Sequence, residues 1–236
     1  MNRKLLFCIL FISGTIKFSV GQINDAQLWE NINIEKNLTQ RVLVRVNQEG
    51  RITENFTRPS FTYFDIGASY KVNKHLHATL AYVWVEKRLV TEFWSTRHQG
   101  YLDLTFREKF GKFQFSYRLM ILGQVKDYYT SQTGKIIDYY LRNKLTIKYE
   151  KSFRYVPYVA SELYYYINKP DVNRYRFNRV RYFAGVFYHP NLINEFEAYY
   201  LIEQQFNTNN TPERNSYSNL NPPHNWVIGL GYTHTF

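Results

Sequence analysis

Cysteine is almost missing from this chain. The single one, Cys8, lies inside a short apolar run near the N-terminus rather than after small residues at its end, so it does not fit a lipid attachment site. If that run is removed as a leader, no thiol remains, which excludes a disulfide framework, a cysteine metal site and thiol redox chemistry. A second long apolar run is also lacking, and mean hydropathy is −0.46. This excludes helical membrane spans but not a barrel, whose strands alternate and average to neutral. No glycine-rich phosphate loop, HExxH or GxSxG occurs, and no internal repeat. Acids are short: 19 Asp and Glu face 30 Lys and Arg, a formal charge of +11.

Aromatics, by contrast, are abundant, with 22 Tyr, 18 Phe and 4 Trp. Such a content is expected where rings collect at two membrane interfaces. The run Trp226 to Phe236, W-V-I-G-L-G-Y-T-H-T-F, splits with period two. Trp226, Ile228, Leu230, Tyr232, His234 and Phe236 share one face. It resembles the closing strand of bacterial outer-membrane barrels, in which that strand is the address read by the insertion machinery. Trp226, Tyr232 and Phe236 are the candidate signal residues. At the other end, Arg3 and Lys4, the apolar run Leu5 to Ile12 and the small residues Ser19-Val20-Gly21 predict a secretory signal peptide over 1–21. Roughly 215 residues then remain, one barrel domain over 22–236, with a charge of +8 once Arg3, Lys4 and Lys17 are gone.

Eleven alternating segments are expected, near 26–35, 39–49, 59–72, 75–87, 93–108, 112–123, 135–149, 154–168, 174–188, 194–206 and 225–236. Most are long enough for a tilted bilayer crossing. Their connections alternate short and long, as in outer-membrane barrels with short periplasmic turns and long outer loops. The fold class predicted is all-β, an antiparallel transmembrane up-and-down barrel of 10 to 12 strands. Single-chain bacterial barrels have even counts. Eleven segments therefore predict either ten strands with Gln22 to Glu35 set aside as an arm or lumen segment, or twelve with one unread; twelve is preferred.

The segment 137–149 shows the faces best. Ile137, Tyr139, Leu141, Leu145, Ile147 and Tyr149 alternate with Asp138, Tyr140, Arg142, Lys144, Thr146 and Lys148. A cation turned to the bilayer midplane costs roughly 2–4 kcal/mol, so the second set must face the lumen. The same argument sends Arg41, Arg45, Arg97, Arg107, Arg118, Arg179 and Arg181 inward, with Asp65, Asp103, Glu162, Glu195, Glu197 and Glu203. Inward phases also hold Tyr63, Tyr101, Tyr164, Tyr166, Phe183 and Tyr199. A narrow barrel so lined is expected to be mostly filled by an ion-pair lattice, the alternative being a small polar channel. Arg142, Lys144, Arg179 and Arg181 are the candidate lumen anion site.

The histidines form no recognised catalytic or metal spacing. Ser95 and His98 point to opposite faces of a strand; His75 and His77 share a face but have no carboxylate two residues away, so a metal site would need ligands from other strands. No catalytic residue, metal ligand or cofactor is assigned. Asn-X-Thr at Asn37, Asn55 and Asn209 is a chance-level pattern. Trp29 in Q-L-W-E-N, Arg179-Val180-Arg181 and the terminal G-L-G-Y-T-H-T-F make the mature chain resemble the bacterial outer-membrane family catalogued as domain of unknown function 2490. That resemblance implies location and architecture, and brings no activity. The Tyr- and Asn-rich composition is similar to that of Bacteroidetes proteins. The expectation is a narrow channel or a structural and interaction barrel with an Arg-rich lumen. Alternatives are an outer-membrane lipid-modifying enzyme, and a soluble secreted lipid-binding barrel. Expected partners are outer-membrane lipid, lipopolysaccharide phosphates and the insertion machinery, not nucleic acid; oligomeric state is left open.

Overall fold

A computed structural model describes residues 24–89, 92–126, 137–168, 177–206 and 224–236; the expected signal peptide lies outside them. Eleven strands appear where alternation placed them: β1 Asn24–Asn37, β2 Val42–Thr53, β3 Arg58–Lys71, β4 Leu76–Arg88, β5 Trp94–Phe110, β6 Phe113–Lys126, β7 Ile137–Tyr149, β8 Tyr155–Tyr166, β9 Phe177–Tyr188, β10 Asn194–Gln205 and β11 His224–Thr235. Each pairs antiparallel with its neighbour in sequence, and β1 closes on β11 to complete a barrel.

That closure corrects the expectation of twelve strands. The eleventh strand of an up-and-down meander runs the same way as the first, so β1 and β11 pair parallel, from Asn24 opposite His224 to Glu35 opposite Thr235. The described part of Gln22 to Glu35 is neither arm nor lumen segment but wall, bonded to β2 on its other side. The β2–β3 turn holds the start of β1. Glu54, Asn55 and Phe56 all adopt positive φ; the Asn55 amide donates to Asp25 Oδ1 at 2.9 Å, and the Phe56 amide to the Ala26 carbonyl at 3.3 Å.

Five short turns share one end of the barrel, and local polar groups close several of them. Thr39 Oγ1 accepts the Val42 amide at 3.0 Å, Asn73 Oδ1 the Leu76 amide at 2.9 Å, and Asn191 Oδ1 the Asn194 amide at 2.8 Å; such side chains imitate a backbone turn. The two-residue turn between β5 and β6 places Gly111 at φ 59°, a conformation that costs glycine nothing.

Strands of 12 to 17 residues run about 40 Å or more along their axes. At a tilt near 40° the shortest still rise roughly 30 Å. Outward side chains divide into three zones. A middle band is mostly aliphatic, including Ile66, Leu80, Leu102, Ile121, Val159 and Ile228, with Leu80 67% exposed; Glu30 of β1 interrupts it, exposed opposite Leu230. Toward the short turns lies a belt of rings in contact: Tyr155 with Tyr188 (5.1 Å), Tyr188 with Phe196 (6.4 Å) and Phe196 with Tyr232 (5.0 Å). Toward the other end a second belt pairs Phe64 with Trp84 (6.0 Å), Tyr165 with Phe177 (5.2 Å) and Tyr200 with Trp226 (5.8 Å).

The buried groups lie inside the barrel. One apolar cluster joins Ala81, Val83, Val85, Tyr101, Met120 and Leu122; another joins Trp29, Leu201 and Val227. Rings also lie on inward glycines. A Cβ on Gly229 would fall within the Tyr199 ring, so the ring occupies space that only glycine leaves free. Two expectations need correction. Arg41 sits exposed in the β1–β2 turn rather than in a strand, and its guanidinium reaches the outward Tyr70 hydroxyl at 3.5 Å. His75 also falls in a turn, stacked on the outward Phe106 at 5.8 Å, so it shares no face with His77, which lies within β4.

Candidate functional site in the lumen

Cross-strand register assembles the site. Two inward rows run across β7, β8 and β9: Arg142, Tyr164 and Arg179 in one, Lys144, Glu162 and Arg181 in the next. The four cations expected from the sequence thus flank one strand, and Glu162 sits among them, 1% exposed. Its Oε1 accepts from Arg118 Nη2 and Arg142 Nη2, each at 2.9 Å, and its Oε2 lies 3.5 Å from Arg181 Nη1. A carboxylate in such a place is held by three guanidiniums, and they by it.

Arg181 carries the network onward. Its Nε donates to Glu203 Oε2 at 2.7 Å, and its Nη1 donates to the Tyr164 hydroxyl. Glu203 also accepts from Arg179 Nη1 at 3.2 Å and from Asn225 Nδ2 at 2.9 Å. The Arg181 guanidinium lies 5.0 Å from the Trp29 ring centroid. Arg51 lies 3.8 Å from the same ring and pairs with Glu49 at 2.5 Å. Glu49 in turn accepts the Tyr63 hydroxyl at 3.1 Å. One connected set of charges and rings therefore runs from β6 through β9 to β1, β2 and β3.

A second group surrounds Asp65, which accepts the Tyr101 hydroxyl at 2.6 Å and pairs with Arg45 at 3.6 Å. Toward the short turns the lining is looser: Lys144 Nζ lies 4.2 Å over Phe183 and Lys148 Nζ 4.0 Å over Phe187. Of the four anion candidates, Arg142, Arg179 and Arg181 have carboxylate partners, and Lys144 rests on a ring.

The chain belongs to the family described as "Protein of unknown function (DUF2490)". Its family model matches residues 26–215, which include Trp29 and the Arg179-Val180-Arg181 strand but stop short of β11. No curated protein matches the chain. What this DUF2490 barrel does must therefore be argued from its own side chains.

The histidines are placed singly. His98 points outward and bonds the Tyr82 hydroxyl at 2.6 Å, while Ser95 points inward, as alternation required. His75 meets Glu108 and His189 meets Glu195, each at 2.7 Å. Among the described residues no three of His, Cys, Asp and Glu converge as metal ligands would. On the outer wall, Tyr232 donates to Asn194 Oδ1 at 2.8 Å, and Phe236 meets His234 edge-on at 4.4 Å. Trp226 and Tyr232 thus sit in opposite ring belts. Sequence reasoning missed Arg51, Glu49, Lys87 and Ser95 as lumen groups. Parity along β2 and β5 was the signal that could have found Arg51, Glu49 and Ser95, since they share faces with Arg45 and Arg97, already read as inward; β4 held no residue so read, and its own alternation was the signal for Lys87.

Proposed function

We propose that this chain is an integral outer-membrane β-barrel whose lumen is closed to free solute flow, serving as a structural or interaction barrel. The membrane assignment is supported by the aliphatic band between two ring belts on a sheet without free edges, the arrangement that lipid demands of a spanning barrel. The closed lumen rests on one observation, the chain of contacts in which Arg181 reaches both Glu162 and Glu203 while facing Trp29, itself 4% exposed. Eight strands leave an interior that side chains just fill. Eleven leave more, and here arginines and rings take it up. Outer-membrane lipids and lipopolysaccharide phosphates are the natural neighbours of a chain with this positive charge, and the 1–21 segment is its export signal.

The test is refolding into detergent, then planar-bilayer recording. Migration that changes on heating, insertion into the bilayer and no resolved conductance are the expected results. Steady, ion-selective conductance would overturn the closed lumen and make the protein a channel. Recovery in the aqueous phase without detergent would overturn the membrane assignment.

A further inference from the structure

Near the mouth opposite the short turns, one inward row brings together Arg51 of β2, Phe61 of β3, Lys87 of β4 and Ser95 of β5. Lys87 and Ser95 are direct cross-strand partners, which sets their Cβ atoms roughly 5 Å apart. The strongest charges acting on Lys87 are the guanidiniums of Arg97, Arg179 and Arg51 and the carboxylate of Glu203. That carboxylate is already engaged by Arg179 and Arg181, and Arg51 is engaged by Glu49. Among the described residues no hydrogen bond or ion pair reaches the Lys87 ammonium.

Next to it a second group lacks a partner. Ser95 Oγ is buried in a residue only 1% exposed and has no hydrogen-bond partner; Arg179 Nε is likewise buried without an acceptor. Buried donors left unmatched are rare in folded proteins and ask for an explanation. Two adjacent unused donors with guanidiniums near them have one chemical complement, an acceptor carrying negative charge.

We propose that this part of the lumen binds a small oxyanion of the phosphate or sulfate type, with Lys87 and Ser95 as its ligands and the Arg179 guanidinium as a neighbouring positive charge. A tetrahedral oxyanion offers several acceptor oxygens and up to two negative charges, so one group can meet both donors. Because the wall is closed by the β1–β11 pairing, the anion enters from the aqueous mouth. The proposal rests on the interior alone, so it stands or falls separately from the membrane assignment and from the conductance result.

The experiment is calorimetric titration of refolded barrel, in phosphate-free buffer and zwitterionic detergent, with inorganic phosphate and with sulfate. Saturable binding of either anion tighter than about 1 mM is expected. Lys87→Met, checked for heat-modifiable migration, should weaken it roughly 10- to 100-fold, as for a lost hydrogen bond to a charged group. Ser95→Ala removes a neutral hydroxyl and should weaken it severalfold while leaving the strand intact, which keeps a test available if the Lys87 variant does not refold. Repeating the titration with phosphatidylglycerol in the micelle separates the two sources. Unchanged affinity assigns the site to a free anion, and competition assigns it to a lipid headgroup phosphate. Absence of saturable binding, or equal binding by both variants and the original chain, would overturn the proposal.

Discussion

Replacing Glu162 with glutamine keeps the shape of the side chain and removes its charge, leaving Arg118, Arg142 and Arg181 gathered around a neutral amide. Two of those guanidiniums lie at 2.9 Å and the third at 3.5 Å. Breaking a buried ion pair by removing one partner costs about 3–5 kcal/mol, because an uncompensated charge stays behind. Arg181 keeps Glu203 and Arg118 keeps some access to water, so the lower part of that range, about 3 kcal/mol, is expected. An internal comparison comes from Glu150, whose pair with Lys109 at 2.6 Å is exposed; Glu150→Gln should cost no more than about 1 kcal/mol. Urea unfolding of both variants in the same detergent, followed by the heat-modifiable band and by tryptophan fluorescence, measures the difference. Adding Arg142→Gln to the Glu162 variant should recover part of the loss, since one stranded cation is removed. A Glu162→Gln cost equal to that of Glu150→Gln, or no recovery in the double variant, would refute the idea that Glu162 holds the lattice.

The other expectations rest on separate features. Gly229→Ala places a methyl group in the Tyr199 ring and should destabilise the barrel by about 1–3 kcal/mol, the range for overpacking; Tyr199→Ala in the same chain should relieve the clash. Trp29→Ala removes the ring shared by Arg51 and Arg181 and should both lower stability by about 3–5 kcal/mol and open a measurable conductance, read by bilayer recording. Cysteines at Ile34 and His234, register partners across the parallel seam, should form a disulfide under mild oxidation, because neighbouring strands bring Cα atoms within the required range. A pair at Ile34 and Leu230 should not, and reversal of that preference would show a different seam.

The eleven strands were legible because each carries its own period-two pattern, and a pattern of that kind survives whatever the neighbours do. How the ends meet was not legible in the same way. Parallel closure belongs to the count of strands, and the rule of even counts, which describes most single-chain barrels, pointed away from it. The inward arginines were readable from the price of facing lipid, but which acid each would meet depended on register. Lys144, Glu162 and Arg181 share a row only because of the register in which β7, β8 and β9 pair. Arg41 and His75 were misplaced for the converse reason. Alternation was extended past the strand into a turn, where parity has no meaning. Lys87 was not read as a lumen group, and its interest lies in missing a partner, a property of the surrounding strands rather than of β4.

The parallel seam bears on how such a barrel could have arisen. A meander grows or shrinks most simply by whole hairpins, and each one changes the strand number by two. Every barrel reached from this one in that way keeps an odd count, a parallel seam and strand ends at opposite mouths. An even-stranded ancestor or descendant therefore requires gain or loss of a solitary strand, which would bring both chain ends to one mouth and turn the parallel seam antiparallel, so the odd count marks a series of barrels that hairpin duplication alone cannot leave.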